Sequence, residues 1–137
     1  MADSIRELLP TCISTLVLKE KSDTLLEVNA TCSFPATFVA FQGHFPGNPI
    51  LPAVVQLAAI RCIVEQALQT PLSVQEYSRT KFKAMIEPDV DVNIHISMEK
   101  RKTLMSGKFK IMSQEKKAVA SGNFIFKKEP SAFLRIR

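Results

Sequence analysis

The chain has 137 residues, 46% of them hydrophobic and only four of them glycine. That suits a single domain spanning 1–137 with a sizeable core, and no second domain is needed. The net charge of +5 biases the surface toward acidic partners, yet the basic residues scatter through Lys100-Arg101-Lys102, Lys116-Lys117 and Lys127-Lys128 without a nucleic-acid motif or a run of aromatics, which argues against nucleic acid. The longest apolar runs fall far short of the roughly 20 residues of a membrane span, and Met1 to Glu7 does not read as a signal peptide, so a cytoplasmic location is expected.

In chain order, Ser4 to Leu9 reads as a short helix, with Asp3 or Ser4 as its N-cap and Pro10 at its end. Cys12 to Lys19 is rich in β-formers, Lys21-Ser22-Asp23 is a turn, and Leu26, Val28, Ala30 and Cys32 alternate with Glu27, Asn29 and Thr31, which together predict a hairpin. Ser33 to Gln42 is a connection that carries Phe34, Phe38 and Phe41. The next ten residues, Gly43 to Pro52, hold three further prolines and two glycines, a composition that excludes regular helix or central strand and predicts a shaped loop.

From Ala53 to Leu68 the residues are apolar on nearly every side, interrupted by Gln56, Arg61, Glu65 and Gln66, which predicts a helix enclosed by other structure. Gln69-Thr70-Pro71 stops it. Tyr77 to Ala84, Asp91 to Lys100, Leu104 to Met112 and Ala118 to Lys127 read as strands, the second being the clearest because Val92, Ile94, Ile96 and Met98 alternate with Asn93, His95, Ser97 and Glu99. Charged turns at Arg101-Lys102 and Gln114-Glu115-Lys116 join the last three into a meander. Glu129 to Arg137 reads as a mobile tail. Periodicity alone therefore gives an α+β protein, several antiparallel strands with one long helix after the second.

The three cysteines, Cys12, Cys32 and Cys62, are widely spaced among apolar or small residues, with no Cys-x-x-Cys and no neighbouring histidine. Buried reduced thiols are expected, with no metal and no cofactor. His95 falls on the polar face of its strand with no motif around it. Asn48 is first a turn residue.

The run Gly43-His44-Phe45-Pro46-Gly47-Asn48-Pro49-Ile50-Leu51-Pro52, entering the apolar helix, resembles the signature of the beta-hydroxyacyl-acyl-carrier-protein dehydratases of the FabA/FabZ type. Weaker likeness extends over most of the chain, including Ile5 to Pro10 and Lys81 to Pro88. The resemblance implies a hotdog fold, an antiparallel sheet wrapped around a long central helix, and at least a homodimer with active sites between subunits. It also implies an acyl thioester carried on acyl carrier protein, an acidic partner whose sign suits this chain's charge.

Carried over residue by residue, the resemblance makes His44 the catalytic base. Phe45 and Gly47 belong with it in the substrate-binding loop. The backbone N–H of Ala53, where the family usually has glycine, polarises the thioester carbonyl, and Ala58 occupies the position of the family's acid. Dehydration needs a base for the C2 proton, a donor to the departing C3 hydroxyl and a hydrogen bond to the developing enolate oxygen. An imidazole titrates near neutral pH, and a first-turn N–H lies unused at the positive end of the helix dipole. Alanine, however, transfers no proton.

Nearby polar residues are poor replacements. Glu65 lies roughly 10 Å further down the helix axis, and Gln56, an amide, lies about 200° around it from position 58. Hotdog thioesterases also need a carboxylate on or near this helix, so Ala58 counts against them too. The expected function is a divergent 3-hydroxyacyl dehydratase-like protein with an incomplete site. The alternatives are a noncatalytic acyl-chain or carrier-protein binding subunit, and half of a heterodimer that lends His44 to a paralogue's acid.

Overall fold

In a computed structural model the described residues are 2–41 and 49–129. Helix α1 (Ala2–Leu8) runs into a 3₁₀ turn at Leu9–Cys12. Asp3 and Ser4 therefore lie within the helix rather than before it. Pro10 sits in that 3₁₀ turn, where the missing N–H costs nothing because the first donors of a helical turn have no internal partner.

Strands β1 (Ile13–Glu20) and β2 (Leu25–Cys32) form the expected hairpin. Its turn is closed by the Lys21 N–H donating to the Leu25 carbonyl at 2.8 Å and by the Ser22 hydroxyl oxygen accepting from the Leu25 N–H at 3.1 Å. The connection that follows carries a cluster of buried rings. Phe34 and Phe38 lie 5.8 Å apart between centroids, and Phe38 meets Phe41 edge-on at 6.3 Å. Helix α2 (Ala53–Leu68) has the predicted bounds. It ends at Gln69, which adopts the left-handed conformation (φ 53°) and donates its N–H back to the Glu65 carbonyl.

Strand β3 spans Leu72–Phe82, starting five residues before the expected Tyr77 and stopping short of Ala84. The early start has a local cause, since the Leu72 N–H is held by the Glu65 carboxylate at 2.8 Å as the chain leaves α2. Strands β4 (Val92–Arg101), β5 (Leu104–Ser113) and β6 (Ala118–Lys128) form the meander. The turns within it place Lys102 (φ 51°) and Lys116 (φ 64°) in the left-handed region.

All six strands make one antiparallel sheet in the order β1-β2-β4-β5-β6-β3, with β1 and β3 at its edges. The period of two sorts its faces. Leu26, Val28, Ala30 and Cys32 of β2 and Val92, Ile94, Ile96 and Met98 of β4 are all buried, and they pair across the two strands. Met105, Phe109, Ile111, Phe124 and Phe126 extend the same core across β5 and β6, with Phe124 stacked on Phe126 at 4.4 Å. Gly107 has to be glycine, because a Cβ there would strike the Ser97 carbonyl and come within 2.8 Å of Met98. This is a hotdog fold, with the sheet packed on one long helix.

Helix α2 is not enclosed on every side, contrary to its near-uniform apolarity. Ile60, Ile63 and Val64 are fully buried, whereas Val54 is 72% exposed. The sheet covers one side of α2, and among the described residues much of the other side meets the short α1 and the 3₁₀ turn after it. Among the described residues no helix is long and apolar enough to cross a membrane.

Candidate functional site at the start of the central helix

His44, Phe45 and Gly47 lie outside the described residues, as does Asn48. What the structure positions is the frame into which their loop feeds. Leu51 is buried, and its N–H donates to the Ile86 carbonyl at 3.0 Å. Its own carbonyl accepts from the Gln56 side-chain Nε2 at 3.3 Å. Pro52 follows in an extended conformation (φ −61°, ψ 149°), and its carbonyl accepts the Val55 and Gln56 N–H groups at 3.1 Å each. The chain thus enters α2 along a path fixed from both sides.

Ala53 is the first residue of α2, and no acceptor for its N–H is found among the described residues. That leaves it at the positive end of a 16-residue helix with no internal partner. It lines a hollow of about 230 Å³ with Ile50, Leu51, Gln56, Phe82, Lys83 and Met85. Ala58 does not share it. Ala58 lines a second hollow of about 290 Å³, between α1 and α2, with Ile5, Leu9, Val54 and Val55 as its apolar wall and Arg6 and Arg61 as its cations. The two alanines therefore face different spaces, and among the described residues no carboxylate lines either one.

Glu65 is committed elsewhere. One of its oxygens accepts the Leu72 N–H at 2.8 Å and lies 4.0 Å from an Arg6 nitrogen. Its distance along the helix and its use in starting β3 both remove it from the Ala58 hollow. His95 sits on the exposed sheet face, with Nδ1 2.8 Å from Asn29 Oδ1 in a cross-strand pair. Beside it Thr31 donates to Asn93 Oδ1 at 3.1 Å, so this region is a polar ladder across β2 and β4.

Three residues gain roles that sequence alone did not assign. Gln56 is the one polar side chain buried among the described residues, at 4% exposure, and its Oε1 has no partner. The signal was a glutamine inside an apolar run, seen only as an interruption. Tyr77 donates its hydroxyl to the Leu57 carbonyl at 2.7 Å, tying β3 to mid-helix. Burial pushes its phenol well above the usual range, with the Arg61 charge opposing. Arg61 itself makes no ion pair or hydrogen bond among the described residues.

The cysteines are free and buried. Burial raises Cys32 to about 12, with Cys12 and Cys62 adding to it, and raises Cys62 to about 11, with the Glu65 charge adding. Thiols held this far above neutral are not nucleophiles. Among the described residues no group of histidine, cysteine, aspartate and glutamate could hold a metal ion.

A sheet packed on one long helix, whose first N–H finds no acceptor among the described residues, is the frame of a hotdog protein. Residues 19–123 match the family model of the ApeI-like dehydratases, described as ApeI dehydratase, and the chain belongs to that family. It is 31% identical over 97 residues to the 3-hydroxyacyl-[acyl-carrier-protein] dehydratase FabZ of Lactobacillus helveticus, a match that spans 63% of each chain. Among solved structures it resembles the dehydratase heterocomplex ApeI:P from Xenorhabdus doucetiae at a TM-score of 0.63 and 18% identity, covering 83% of this chain and 99% of that one. The Lactococcus lactis protein yhdA superimposes at a TM-score of 0.70 with 11% identity, covering 90% and 98%. Likeness at such identities shows the shared fold.

Proposed function

We propose that this chain is a 3-hydroxyacyl dehydratase-like subunit that receives acyl-carrier-protein thioesters and, alone, turns them over slowly or not at all. The observation that carries this reading is the split at α2: an N–H at Ala53 with no acceptor, and an alanine where the family acid stands, with no carboxylate in either hollow, among the described residues. In the reaction, the His44 imidazole would take a proton from C2 while the Ala53 N–H holds the enolate oxygen. The C3 hydroxyl would then leave as water once a donor supplies a proton. The last step is the one this chain does not equip.

A second reading follows from the same gap. In the resembling family one subunit gives the histidine and the other the acid, so a homodimer of this chain lacks the acid in both sites, whereas a pair with an acid-bearing paralogue completes one. That the Xenorhabdus neighbour is a heterocomplex supports this arrangement. The net charge of +5 suits an acidic carrier protein, and the cytoplasm is the compartment such a substrate implies.

The test is dehydration of 3-hydroxyacyl carrier-protein thioesters by the homogeneous protein. Loss of one general acid predicts a rate lower by roughly 10² to 10⁴ than that of a complete dehydratase, with Ala58→Glu recovering part of it. Adding a paralogue whose own histidine is replaced should restore turnover that vanishes with His44→Ala. Full turnover by the unmodified chain alone would overturn the reading.

A further inference from the structure

On its outer face, away from the core, the sheet gathers cations that the sequence scatters. Arg79 and Lys81 of β3 and Lys108 and Lys110 of β5 line one shallow hollow of about 560 Å³, with Ser121 and Asn123 of β6 between them. The register explains the convergence. Lys110 stands opposite Ser121 and Ser121 opposite Lys81, while Lys108 stands opposite Asn123. Strand geometry puts Lys108 and Lys110 roughly 7 Å apart, and Lys110 and Lys81 roughly 10 Å apart, at the backbone. Among the described residues none of the four cations makes an ion pair, and no carboxylate lines the hollow. Glu76 and Glu99 line a neighbouring hollow, which Lys108 also borders.

One of these cations owes its place to an irregularity in the strand. Between Ser78 and Lys81, β3 sets two residues, Arg79 and Thr80, against Gly122 alone. In an unbroken register Thr80 would meet Ser121, and Lys81 would meet Ala120, which is buried in the core. The extra residue turns Lys81 to the outer face instead. It does so at the cost of strain, because Arg79 is held at φ 52°, a region disfavoured for a residue with a Cβ. Gly122 makes room for the bulge, since a Cβ there would come within 2.7 Å of the Phe109 ring and 2.9 Å of Thr80 Cγ2. Strained backbone is thus used to bring like charges together, which packing alone does not explain.

We infer that this hollow binds a small ligand bearing a chain of two or more phosphate groups, its oxygens held by Arg79, Lys81, Lys108 and Lys110 with Ser121 and Asn123 as neutral partners. Lysine meets a phosphate as a point charge, and arginine adds a planar fork. Cations spread over roughly 7 to 10 Å match a phosphate chain better than a single phosphate. A bilayer needs apolar side chains to insert, and a single-stranded nucleic acid needs rings to stack on. The lining offers neither, Phe109 being only 1% exposed. A protein interface would have an apolar centre, which this hollow lacks. The site lies on the sheet face opposite the core and stands apart from the dehydratase reading.

Calorimetric titration of the full chain with sodium tripolyphosphate tests this at about 0.15 M salt, where exposed charges are screened beyond roughly 8 Å. The expected result is saturable binding at one site per chain, with orthophosphate weaker by about tenfold or more. Lys108→Gln with Lys110→Gln should weaken binding about tenfold or more. Arg101→Gln with Lys102→Gln removes the same charge around the turn between β4 and β5, and should leave affinity within about twofold. Arg79→Gly should weaken binding yet melt no lower than the parent, because glycine takes φ 52° without strain. An arginine with a merely structural role would not give that pair of results. Thermal melts establish that each variant is folded, and Lys110→Gln alone carries the charge test if the double lysine variant is not. ATP, titrated without magnesium, separates two sources of a phosphate chain: affinity equal to or below that of tripolyphosphate assigns the site to the free chain, and tighter binding to a nucleotide, either result supporting the phosphate contacts. Absence of saturable binding, equal losses in the two double variants, or orthophosphate binding as tightly as tripolyphosphate would each overturn the proposal. So would retention on phosphatidylglycerol vesicles without tripolyphosphate binding, since a lipid surface would then be the occupant. No thioester turnover enters the measurement, so failure of the dehydratase reading would leave this test intact.

Discussion

Helix α2 has a sealed half and an open half. Toward its C-terminus Ile60, Ile63 and Val64 are fully buried, the Tyr77 hydroxyl clamps the Leu57 carbonyl, and the Glu65 carboxylate starts β3. Toward its N-terminus Val54 is exposed, Gln56 keeps an unpartnered oxygen, and two hollows flank the first turns. One half spends its side chains on packing and on satisfying backbone groups. The other leaves a donor and an acceptor without a partner among the described residues. Packing residues and residues that border the two hollows are thus separated along a single helix.

The contrast breaks if equivalent truncations at its two ends cost the same. Ile60→Ala removes buried methyl and methylene groups from a site the sheet cannot collapse onto, and should cost about 2–5 kcal/mol. Val54→Ala, on the exposed stripe, should stay within about 0.5 kcal/mol. Urea unfolding of both variants checks the pair. Similar losses would mean that Val54 is packed in solution against something the single chain does not supply.

The thiols sharpen the contrast through pH. Cys62 lies on the sealed half of α2, and Cys32 lies at the end of β2 near enough to feel its charge. Both bind their protons more tightly in the folded chain, at about 11 and about 12, than the ordinary value of 9.0. Above pH 9 the unfolded chain therefore holds fewer protons than the folded one, and stability falls as pH rises toward the folded values. The loss at about pH 10 should be roughly 1 kcal/mol per thiol by linkage. Urea midpoints across this range should flatten in Cys32→Ala, and a thiol reagent at pH 8 should label these cysteines only after denaturant is added. Native-state labelling as fast as in urea would show that the sealed half opens.

Legibility in the sequence followed the same division. Alternation in β2 and β4 and the apolar run of α2 were plain because each buries one face or stripe against a single core, and the bounds of α2 matched residue for residue. The start of β3 was not plain. Leu72 to Gln75 alternates over only four residues before the register shifts between Val74 and Glu76, and what begins the strand is a carboxylate seven residues back. The loop resemblance located Ala53 and Ala58 on one helix but not in separate hollows, which depends on how α1 and the segment around Met85 close over opposite sides of α2. Arg6 and Arg61 are far apart in sequence, and no spacing rule brings them to one cavity.

The expected effect at Gln56 is small, and its sign is informative. The side chain is 4% exposed, donates to the Leu51 carbonyl at 3.3 Å and leaves Oε1 unpaired. A buried acceptor without a partner costs about 1–3 kcal/mol, whereas the single long hydrogen bond returns about 1 at most. Gln56→Leu removes both and fills a similar volume with apolar atoms, so the urea midpoint should hold or rise slightly, by up to about 1 kcal/mol. Such a residue serves the path Leu51-Pro52-Ala53, and with it the aim of the Ala53 N–H, more than it serves the fold. A loss of about 2 kcal/mol or more in Gln56→Leu would mean that Oε1 is paired in solution, and the open half of α2 would then be as fully satisfied as the sealed one.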